Sequence, residues 1–410
     1  MAPAFPAPAA RDRLPRVEID RAALQANWRM LAARDPAART GAAVKANGYG
    51  LGTAEVSVAL HEAGCRDFFV AWAAEGAALR EALDAAGLGT GGEQGGMARG
   101  MPATRHAGVL PAPALDDQAR IFVLQGLEPG AVQLHLSHRL IPILSTPDDL
   151  AVWRAGLQQA GRRAPAALQV ETGMNRLGLD RADAEAAANL ARSGALDLCL
   201  VMSHLASGDE ESGQSADQLA RFQEIAALFP GVPRSIANSA GCFLGPDYAF
   251  DLTRPGIALY GGSCGPASTG TVRPVATLTA AVLQVRTARA GEAAGYGAAA
   301  RLSRDTRIAT VGLGYADGYP RAASGAGVPL RAERPGAEAF LAGQRVPVLG
   351  RISMDMTLLD VTDVPQDAVR PGMRAEFFGP NVALDDVADA AGTIAYELLT
   401  GLGRRVERLW

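Results

Sequence analysis

Short apolar runs alternate with amphipathic stretches along roughly the first 260 residues of the chain. Apolar runs of this length predict buried β-strands, and the helical spacing of apolar residues between them predicts α-helices. Asp20 is the predicted N-cap of a helix that runs through Leu31. The eight strand candidates are residues 17–19, 42–45, 68–72, 121–124, 141–144, 167–171, 198–203 and 235–238.

Repeated strand–helix units imply a parallel sheet, and eight of them favour an α/β fold with a closed (β/α)8 barrel of the TIM type. In such barrels the chemistry occurs where the strands end. The polar residues at these predicted strand ends are Lys45, Glu171, His204 and Asn238. We therefore expect a site at this end of the barrel.

The pattern changes after about residue 275, where Val-, Leu- and Thr-rich runs are separated by close turns. This predicts a mostly-β second domain with two late helices, at 383–391 and 393–399. Its strand candidates are residues 276–286, 307–311, 346–349, 356–361 and 373–378.

The chain is accordingly divided into a tail (1–15), a barrel (16–270) and a β domain (271–410). The tail is Ala- and Pro-rich, and its charges follow the apolar stretch, so we predict a flexible tail rather than a signal peptide. Residues 87–117 are rich in Gly, Ala and Pro without a clear period, which predicts an inserted loop in the barrel.

Composition narrows the function classes. The chain has 39 basic and 43 acidic residues, a net charge of −4, and no basic tract that would favour nucleic acid or an anionic membrane. No apolar stretch is long enough to span a bilayer. The four cysteines form no Cys-x-x-Cys pair, which favours a reduced cytoplasmic protein and argues against a metal site.

Lys45 is the strongest chemical candidate. It ends an apolar run, and Tyr49 and a cluster of glycines follow at once, in the stretch 42–52, AAVKANGYGLG. A partly desolvated lysine has a lowered amine pKa, which favours Schiff-base chemistry. Tyr49 and the glycine backbone could hold an anion such as a cofactor phosphate. The alternative is a strand-terminal lysine that only reaches solvent.

Several motifs together resemble the alanine racemase family from Val17 to about Arg405, apart from the tail and the inserted loop. Besides 42–52, they are TGMNRLG (172–178), SHLA (203–206), ANSA (237–240), RPGIALYG (254–261), GYG (295–297), GYADGYPR (314–321) and GRISMD (350–355). The resemblance implies a barrel plus a C-terminal β domain, and an isomerase that uses pyridoxal 5'-phosphate. It implies interconversion of L- and D-alanine, to supply D-alanine for peptidoglycan or to serve alanine catabolism.

The resemblance also implies the reaction chemistry. Lys45 would carry the cofactor as an aldimine and serve as one base, and Tyr296 would be the other base on the opposite face. In the family this tyrosine comes from the second subunit, so a homodimer with shared active sites is implied. A phenol needs help from nearby positive charge or donors to act as a base, which His204 and its arginine-rich surroundings could supply. Arg254 would face the ring nitrogen and oppose its protonation.

The same resemblance assigns binding roles. The cofactor-binding residues would be Lys45, Tyr49, His204, Ser239, Arg254, Gly256, Ile257 and Tyr396. The substrate-binding and entrance residues would be Arg176, Met354 and Tyr315. Asp317 and Asp355 are predicted either to support these residues from behind or to close loops.

One departure from the family pattern is Gln169, where many relatives have a lysine that can be carbamylated. We predict an unmodified side chain there, with Arg176 oriented by a bound anion or by Glu171. Leu51 replaces a frequent histidine, which we interpret as a packing change.

Three other functions remain open on sequence grounds. A racemase of broader specificity, for serine or other small amino acids, is the first, because pocket shape decides this point. A non-catalytic protein that binds pyridoxal phosphate is the second, although Tyr296 and the 314–321 motif argue against it. A fold-related decarboxylase or aldolase is the third.

Overall fold

The computed structural model describes residues 13–88, 118–128, 130–325 and 335–410. The predicted tail up to residue 12 and the predicted insertion from residue 89 to 117 lie outside the described residues. Within the described ranges, no helix has both the length and the apolar character needed to cross a bilayer.

The first half of the chain forms a parallel sheet in which neighbouring strands follow one another along the sequence. The strands alternate with helices, which is the arrangement predicted from the apolar runs. Its seven strands are Ala42–Ala43, Asp67–Val70, Arg120–Val123, Leu140–Leu144, Ala166–Gln169, Leu198–Met202 and Arg234–Ser235.

An eighth strand, Leu252–Thr253, closes this sheet into a barrel. It pairs in parallel with Arg39–Thr40, immediately before the first strand of the sheet. On its other side the Arg254 N–H donates to the carbonyl of Ala237 at 2.9 Å. Sequence reasoning missed this strand because its apolar run is too short to stand out.

The strand Arg16–Ile19 was predicted as a barrel strand, and that placement was wrong. It pairs antiparallel with Ala276–Ala288 and parallel with Glu407–Leu409, in the sheet of the second domain. Only Val17 and Ile19 are buried, whereas barrel strands such as Asp67–Val70 are buried throughout. Alternating burial is typical of a sheet with one solvated face. The matching alternation of polar and apolar residues in Arg16–Ile19 is visible in the sequence and could have corrected the placement.

Helices surround the barrel. Asp20 caps the first of them as predicted, because its carboxylate accepts from the Ala23 N–H at 2.9 Å. The longer barrel helices are Arg21–Arg34, Thr53–Ala63, Ala73–Ala85, Val132–Ser137, Pro147–Ala160, Arg181–Arg192 and Gln214–Ala226. Shorter helical turns include Lys45–Tyr49, Gly241–Phe243, Pro246–Ala249, Ile257–Tyr260 and Pro266–Ser268.

The second domain is built on an eight-stranded mixed sheet, which confirms the predicted mostly-β fold. The 13-residue strand Ala276–Ala288 is its centre. The other members are Arg16–Ile19, Thr306–Val311, Glu338–Leu341, Gln344–Pro347, Thr357–Asp360, Arg374–Phe378 and Glu407–Leu409. A small hairpin joins Ala293–Ala294 to Ala300–Arg301.

Two late helices, Leu384–Ala391 and Ala395–Thr400, lie close to their predicted positions. The second of them packs on the barrel, where the Leu399 carbonyl leaves no room for a side chain at Gly50. The Arg408 guanidinium donates to the Gly50 carbonyl at 2.8 Å. The end of the chain therefore contacts the loop that follows Lys45.

Candidate active site

A cavity of about 350 Å³ opens at the carboxyl ends of the barrel strands. Nine of the predicted site residues line it, brought together from five barrel loops and one helix of the second domain. They are Lys45, Tyr49, Arg176, His204, Ser239, Arg254, Gly256, Ile257 and Tyr396. The other lining residues are Ala43, Ala46, Phe69, Leu124, Asn238 and Thr400.

Lys45 begins a turn of left-handed helix. Ala46, Asn47, Gly48 and Tyr49 have φ values between 54° and 59°. This conformation costs about 1–2 kcal/mol per residue for L-amino acids other than glycine. Because residues four apart share a face of such a turn, Lys45 and Tyr49 both reach the cavity.

The Lys45 ammonium lies in a cationic environment. Loss of water contact lowers the pKa of its amine, and the nearby Arg176 lowers it further, while Glu75 acts in the opposite direction. A lowered pKa makes the free amine more available as a nucleophile and as a base.

Ser239 and Gly256 form a cradle of backbone and hydroxyl groups. The Ser239 hydroxyl accepts from the N–H of Gly256 at 2.7 Å and from that of Ala258 at 3.3 Å. A Cβ at Gly256 would overlap the hydroxyl of Tyr49, so only glycine brings backbone and phenol this close. This is the donor set that a phosphate group requires.

Tyrosine side chains surround this cradle. Tyr49 stacks on Tyr260 with ring centroids 4.4 Å apart, and the Tyr396 ring centroid lies 6.0 Å from that of Tyr49. Burial raises the pKa of the Tyr49 and Tyr396 hydroxyls above the ordinary value for tyrosine. Both phenols therefore stay protonated at neutral pH and can donate to an anion.

Arg254 places a buried cation against the cavity. Its Nη1 donates to the Ser235 hydroxyl and its Nη2 to the Ser203 carbonyl at 2.6 Å. Burial lowers the Arg254 pKa to about 10, so the guanidinium still carries its charge at neutral pH. These two hydrogen bonds use two of the five guanidinium N–H groups, so others are available to a ligand in the cavity.

His204 is neutral in this environment. Burial and the positive charges of Arg254, Arg176 and Lys45 lower its pKa to about 3. The positive charge predicted around His204 therefore belongs to its neighbours, while the neutral imidazole can still act as a hydrogen-bond donor. Gln218 fixes the backbone around it, since the amide donates to the His204 carbonyl at 2.9 Å and accepts from the Ala206 N–H at 2.8 Å.

Sequence models of two alanine racemase domains match the chain, the N-terminal domain at residues 19–264 and the C-terminal domain at 275–410. An alanine racemase of Rhizobium meliloti is 46% identical over 96% of both chains. A biosynthetic alanine racemase of Agrobacterium fabrum is 44% identical over 96% of this chain and 93% of its own.

The chain belongs to the alanine racemase family. A crystal structure of alanine racemase from Bartonella henselae, with covalently bound pyridoxal phosphate, superposes with a TM-score of 0.81. It is 33% identical in sequence and covers 98% of this chain and 99% of its own. The resemblance inferred from the motifs is thus confirmed, and so is the two-part fold that it implied.

The alanine racemase motif around Arg176 is held together by its neighbours. Gln169 is buried and donates to the Leu177 carbonyl at 2.9 Å. Glu171 does not line the cavity, and its carboxylate accepts from the backbone N–H groups of residues 173–176, which lower its pKa despite desolvation. Within the described residues Glu171 contacts Arg176 through the backbone N–H of that arginine and forms no ion pair with the guanidinium, so the group that orients this guanidinium stays a prediction.

Tyr296, Tyr315 and Met354 do not line the cavity. They are exposed on the second domain by 70%, 41% and 53% of their surfaces. Loops 315–317 and 353–354 are joined, because the N–H of Tyr315 donates to the Ser353 carbonyl at 3.1 Å. The Arg405 guanidinium binds Asp317 at 2.9 Å and Asp355 at 2.8 Å, so both carboxylates hold loops, as predicted from the motifs.

Proposed function

We propose that this chain is an alanine racemase that holds pyridoxal 5'-phosphate on Lys45 and interconverts L- and D-alanine as a homodimer. The observation that carries this proposal is a single cavity with Lys45 at one side and the Gly256–Ser239–Tyr49 cradle at another. A reactive amine and an anion cradle in one cavity suit an aldehyde cofactor that bears a phosphate.

The cofactor, when bound, supplies a conjugated ring that stabilises negative charge at the α-carbon of an amino acid. The chain's own residues would bind and orient it. Tyr49, Tyr396, Ser239 and the backbone of Gly256 and Ile257 would hold the phosphate. Arg254 would face the ring nitrogen with one of its remaining N–H donors and keep that nitrogen unprotonated, because a guanidinium gives up no proton.

Lys45 would also act as the base on one face of the substrate. Its lowered pKa increases the fraction of free amine at neutral pH, and the general base contributes roughly 10²–10⁴-fold to rate. Arg176, which lines the same cavity, would bind the substrate carboxylate, together with the Met354 N–H of the other subunit.

The second base would be the Tyr296 hydroxyl of the other subunit. Within one described chain this side chain is largely exposed and does not line the cavity, which supports a site completed by a second copy. The Arg351 guanidinium lies against Gly297, the next residue, and would supply the positive charge that a phenol base needs. Tyr315 would stand at the shared entrance.

The cytoplasm is the proposed location, because the four cysteines form no disulfide bond. The experiment that tests the function uses purified protein supplied with pyridoxal phosphate. We expect the visible absorbance of a lysine imine, and borohydride reduction should fix the cofactor on the peptide that contains Lys45.

Circular dichroism would then follow L-alanine, D-alanine and L-serine. Racemisation of both alanine enantiomers is expected, with L-serine as the measure of broader specificity. Lys45→Ala should abolish both directions, and Tyr296→Phe should mainly slow proton removal from L-alanine. Protein that stays colourless with the aldehyde, or full activity of Tyr296→Phe in both directions, would reject the proposal.

A further inference from the structure

The left-handed turn Lys45–Tyr49 is strained, and strained turns persist only where their surroundings hold them. Its internal hydrogen bonds are those of a helix, such as the Gly50 N–H to the Ala46 carbonyl at 2.9 Å. These bonds do not favour the left-handed form over the right-handed one. Something outside the turn must decide its hand.

Glu75 contacts Ala46, the first residue of the turn with a positive φ. One carboxylate oxygen accepts from the Ala46 N–H at 2.8 Å, and the other accepts from the N–H groups of Ala71 at 2.8 Å and Trp72 at 3.3 Å. The parallel strands Ala42–Ala43 and Asp67–Val70 precede these two loops, and the last hydrogen bond between them runs from the Val44 N–H to the Phe69 carbonyl. Glu75 therefore joins the two loops directly beyond the point where their strands separate.

Arg408 contacts the other end of the turn. Its Nε donates to the Gly50 carbonyl at 2.8 Å, while its terminal nitrogens donate to the carbonyls of Leu402, Gly403 and Val406. The Leu399 carbonyl fills the space beside Gly50. The turn that starts at Lys45 is thus fixed on one side by the barrel and on the other by the second domain.

We propose that Glu75 and Arg408 are positioning residues that hold the left-handed turn from its two ends, so that Lys45 and Tyr49 face one cavity. This inference rests on the proposed role of Lys45. Glu75 has a second effect that Arg408 lacks, because its negative charge lies close enough to the Lys45 ammonium to stabilise the protonated form.

Hydrogen exchange tests the positioning role directly. We would compare wild type with Glu75→Ala and Arg408→Met, each as full-length protein with and without pyridoxal phosphate. Backbone amides of residues 45–52 should exchange at least tenfold faster in both variants, because a charge-assisted hydrogen bond that restrains the turn is lost.

Matched controls are available in the same elements. Glu81→Ala removes an exposed carboxylate from the same helix as Glu75, and Arg404→Met removes an exposed guanidinium four residues before Arg408. Both controls should exchange like wild type over residues 45–52. Unchanged exchange in Glu75→Ala and Arg408→Met would overturn the proposal. If either fails to fold, Glu75→Val and Arg408→Leu replace them, since neither side chain has a polar group for the turn, and wild-type exchange in both would be equally decisive.

Glu75→Gln distinguishes the effect of the Glu75 charge on Lys45 from the effect of its hydrogen bond to the turn. The amide keeps one acceptor oxygen, so the exchange of residues 45–52 should rise less than in Glu75→Ala. Chemical modification of the Lys45 amine at a series of pH values, read by mass spectrometry, should show a midpoint at lower pH than in wild type. A midpoint that does not move would refute the electrostatic effect of Glu75.

Kinetics provide a readout that a purely structural defect would not give. Glu75→Ala should lower kcat at least tenfold with a KM for alanine within twofold of wild type, because Arg176 lies on a different loop. Failure of the proposed function is distinguishable, since wild type would then show no borohydride-stable cofactor on Lys45, whatever the exchange rates of the variants.

Discussion

Gly256 and Tyr49 lie so close together that a single methyl group between them would collide with the phenol hydroxyl. Gly256 has a φ of −124°, outside the left-handed region. The close approach of the phenol gives a steric reason for glycine at this position.

Gly256→Ala should weaken cofactor binding. The added methyl must displace the Tyr49 hydroxyl or the Gly256 N–H that donates to Ser239, and at least one phosphate donor is lost in either case. We expect the dissociation constant for pyridoxal phosphate to rise at least tenfold, which is about 1.4 kcal/mol, in a fluorescence or absorbance titration.

Gly213→Ala is the matched control for this change. Gly213 has a φ of −69°, and a Cβ there would meet no other atom. Its cofactor affinity should equal that of wild type. Equal affinity in Gly256→Ala and Gly213→Ala would mean that the cradle does not bind the phosphate.

The exposed position of Tyr296 leads to a subunit-complementation prediction. Lys45→Ala and Tyr296→Phe homodimers should each lack full activity. When the two are mixed and allowed to exchange subunits, one site of each mixed dimer combines an intact Lys45 with an intact Tyr296. Activity toward L-alanine should therefore rise above that of either parent, toward roughly one quarter of wild type for random reassortment of equal amounts.

The opposite outcome is equally informative. If Lys45 and Tyr296 of the same chain formed each site, every site in a mixed dimer would carry one defect. The mixture would then have only the average activity of the two parents, and the shared-site proposal would be wrong.

His135 should make the fold sensitive to acid. It is buried in the helix Val132–Ser137 with its ring edge-on to Trp153, and burial lowers its pKa to about 4. The unfolded chain, with a histidine pKa near 6.5, binds the proton more readily. The contribution of neutral His135 to the free energy of unfolding is thus fully present above about pH 6.5 and is lost as the pH falls toward 4.

Replacing the His135 imidazole with a phenyl ring, which cannot be protonated, tests this contribution to acid sensitivity. Denaturant unfolding of wild type and His135→Phe at pH 7 and pH 5 gives the relevant free energies. Wild type should lose about 2 kcal/mol more than the variant between these pH values, by linkage. Equal losses in both proteins would show that other groups account for the acid sensitivity.

Gln169 should remain chemically unmodified. An amide does not form a carbamate with carbon dioxide, and the Gln169 amide is already bound to the Leu177 carbonyl. The mass of the peptide that contains Gln169 should equal the sequence value, and racemase activity should not change when bicarbonate is removed. An added carbamate mass at this position would contradict the prediction.

Much of the fold was predictable because burial in a parallel barrel leaves a local signal. The β-α units showed apolar runs followed by helical spacing, and the helix that follows Asp20 begins where it was predicted. The signal failed for Leu252–Thr253, whose pairing is decided by the closure of the barrel. It also failed for Arg16–Ile19, whose strand character was clear but whose partners are about 260 and 390 residues away.

The candidate site divides in the same way. Lys45 and Tyr49 stood out because an apolar run, a cation and a glycine cluster occur together in eleven residues, 42–52. Glu75 and Arg408 did not stand out, because a glutamate early in a helix and an arginine near a chain end usually have only local roles. Their contacts with Ala46 and Gly50 exist only in the folded chain.

The sequence by itself determined the residue types that can do chemistry, the β-α rhythm and the family, since these depend on local composition and spacing. The tertiary structure alone decided which strand closes the barrel, that His204 is neutral among three cations, and which side chains hold the turn after Lys45. The physical reason is that desolvation, charge proximity and backbone strain depend on distances between residues far apart in the chain.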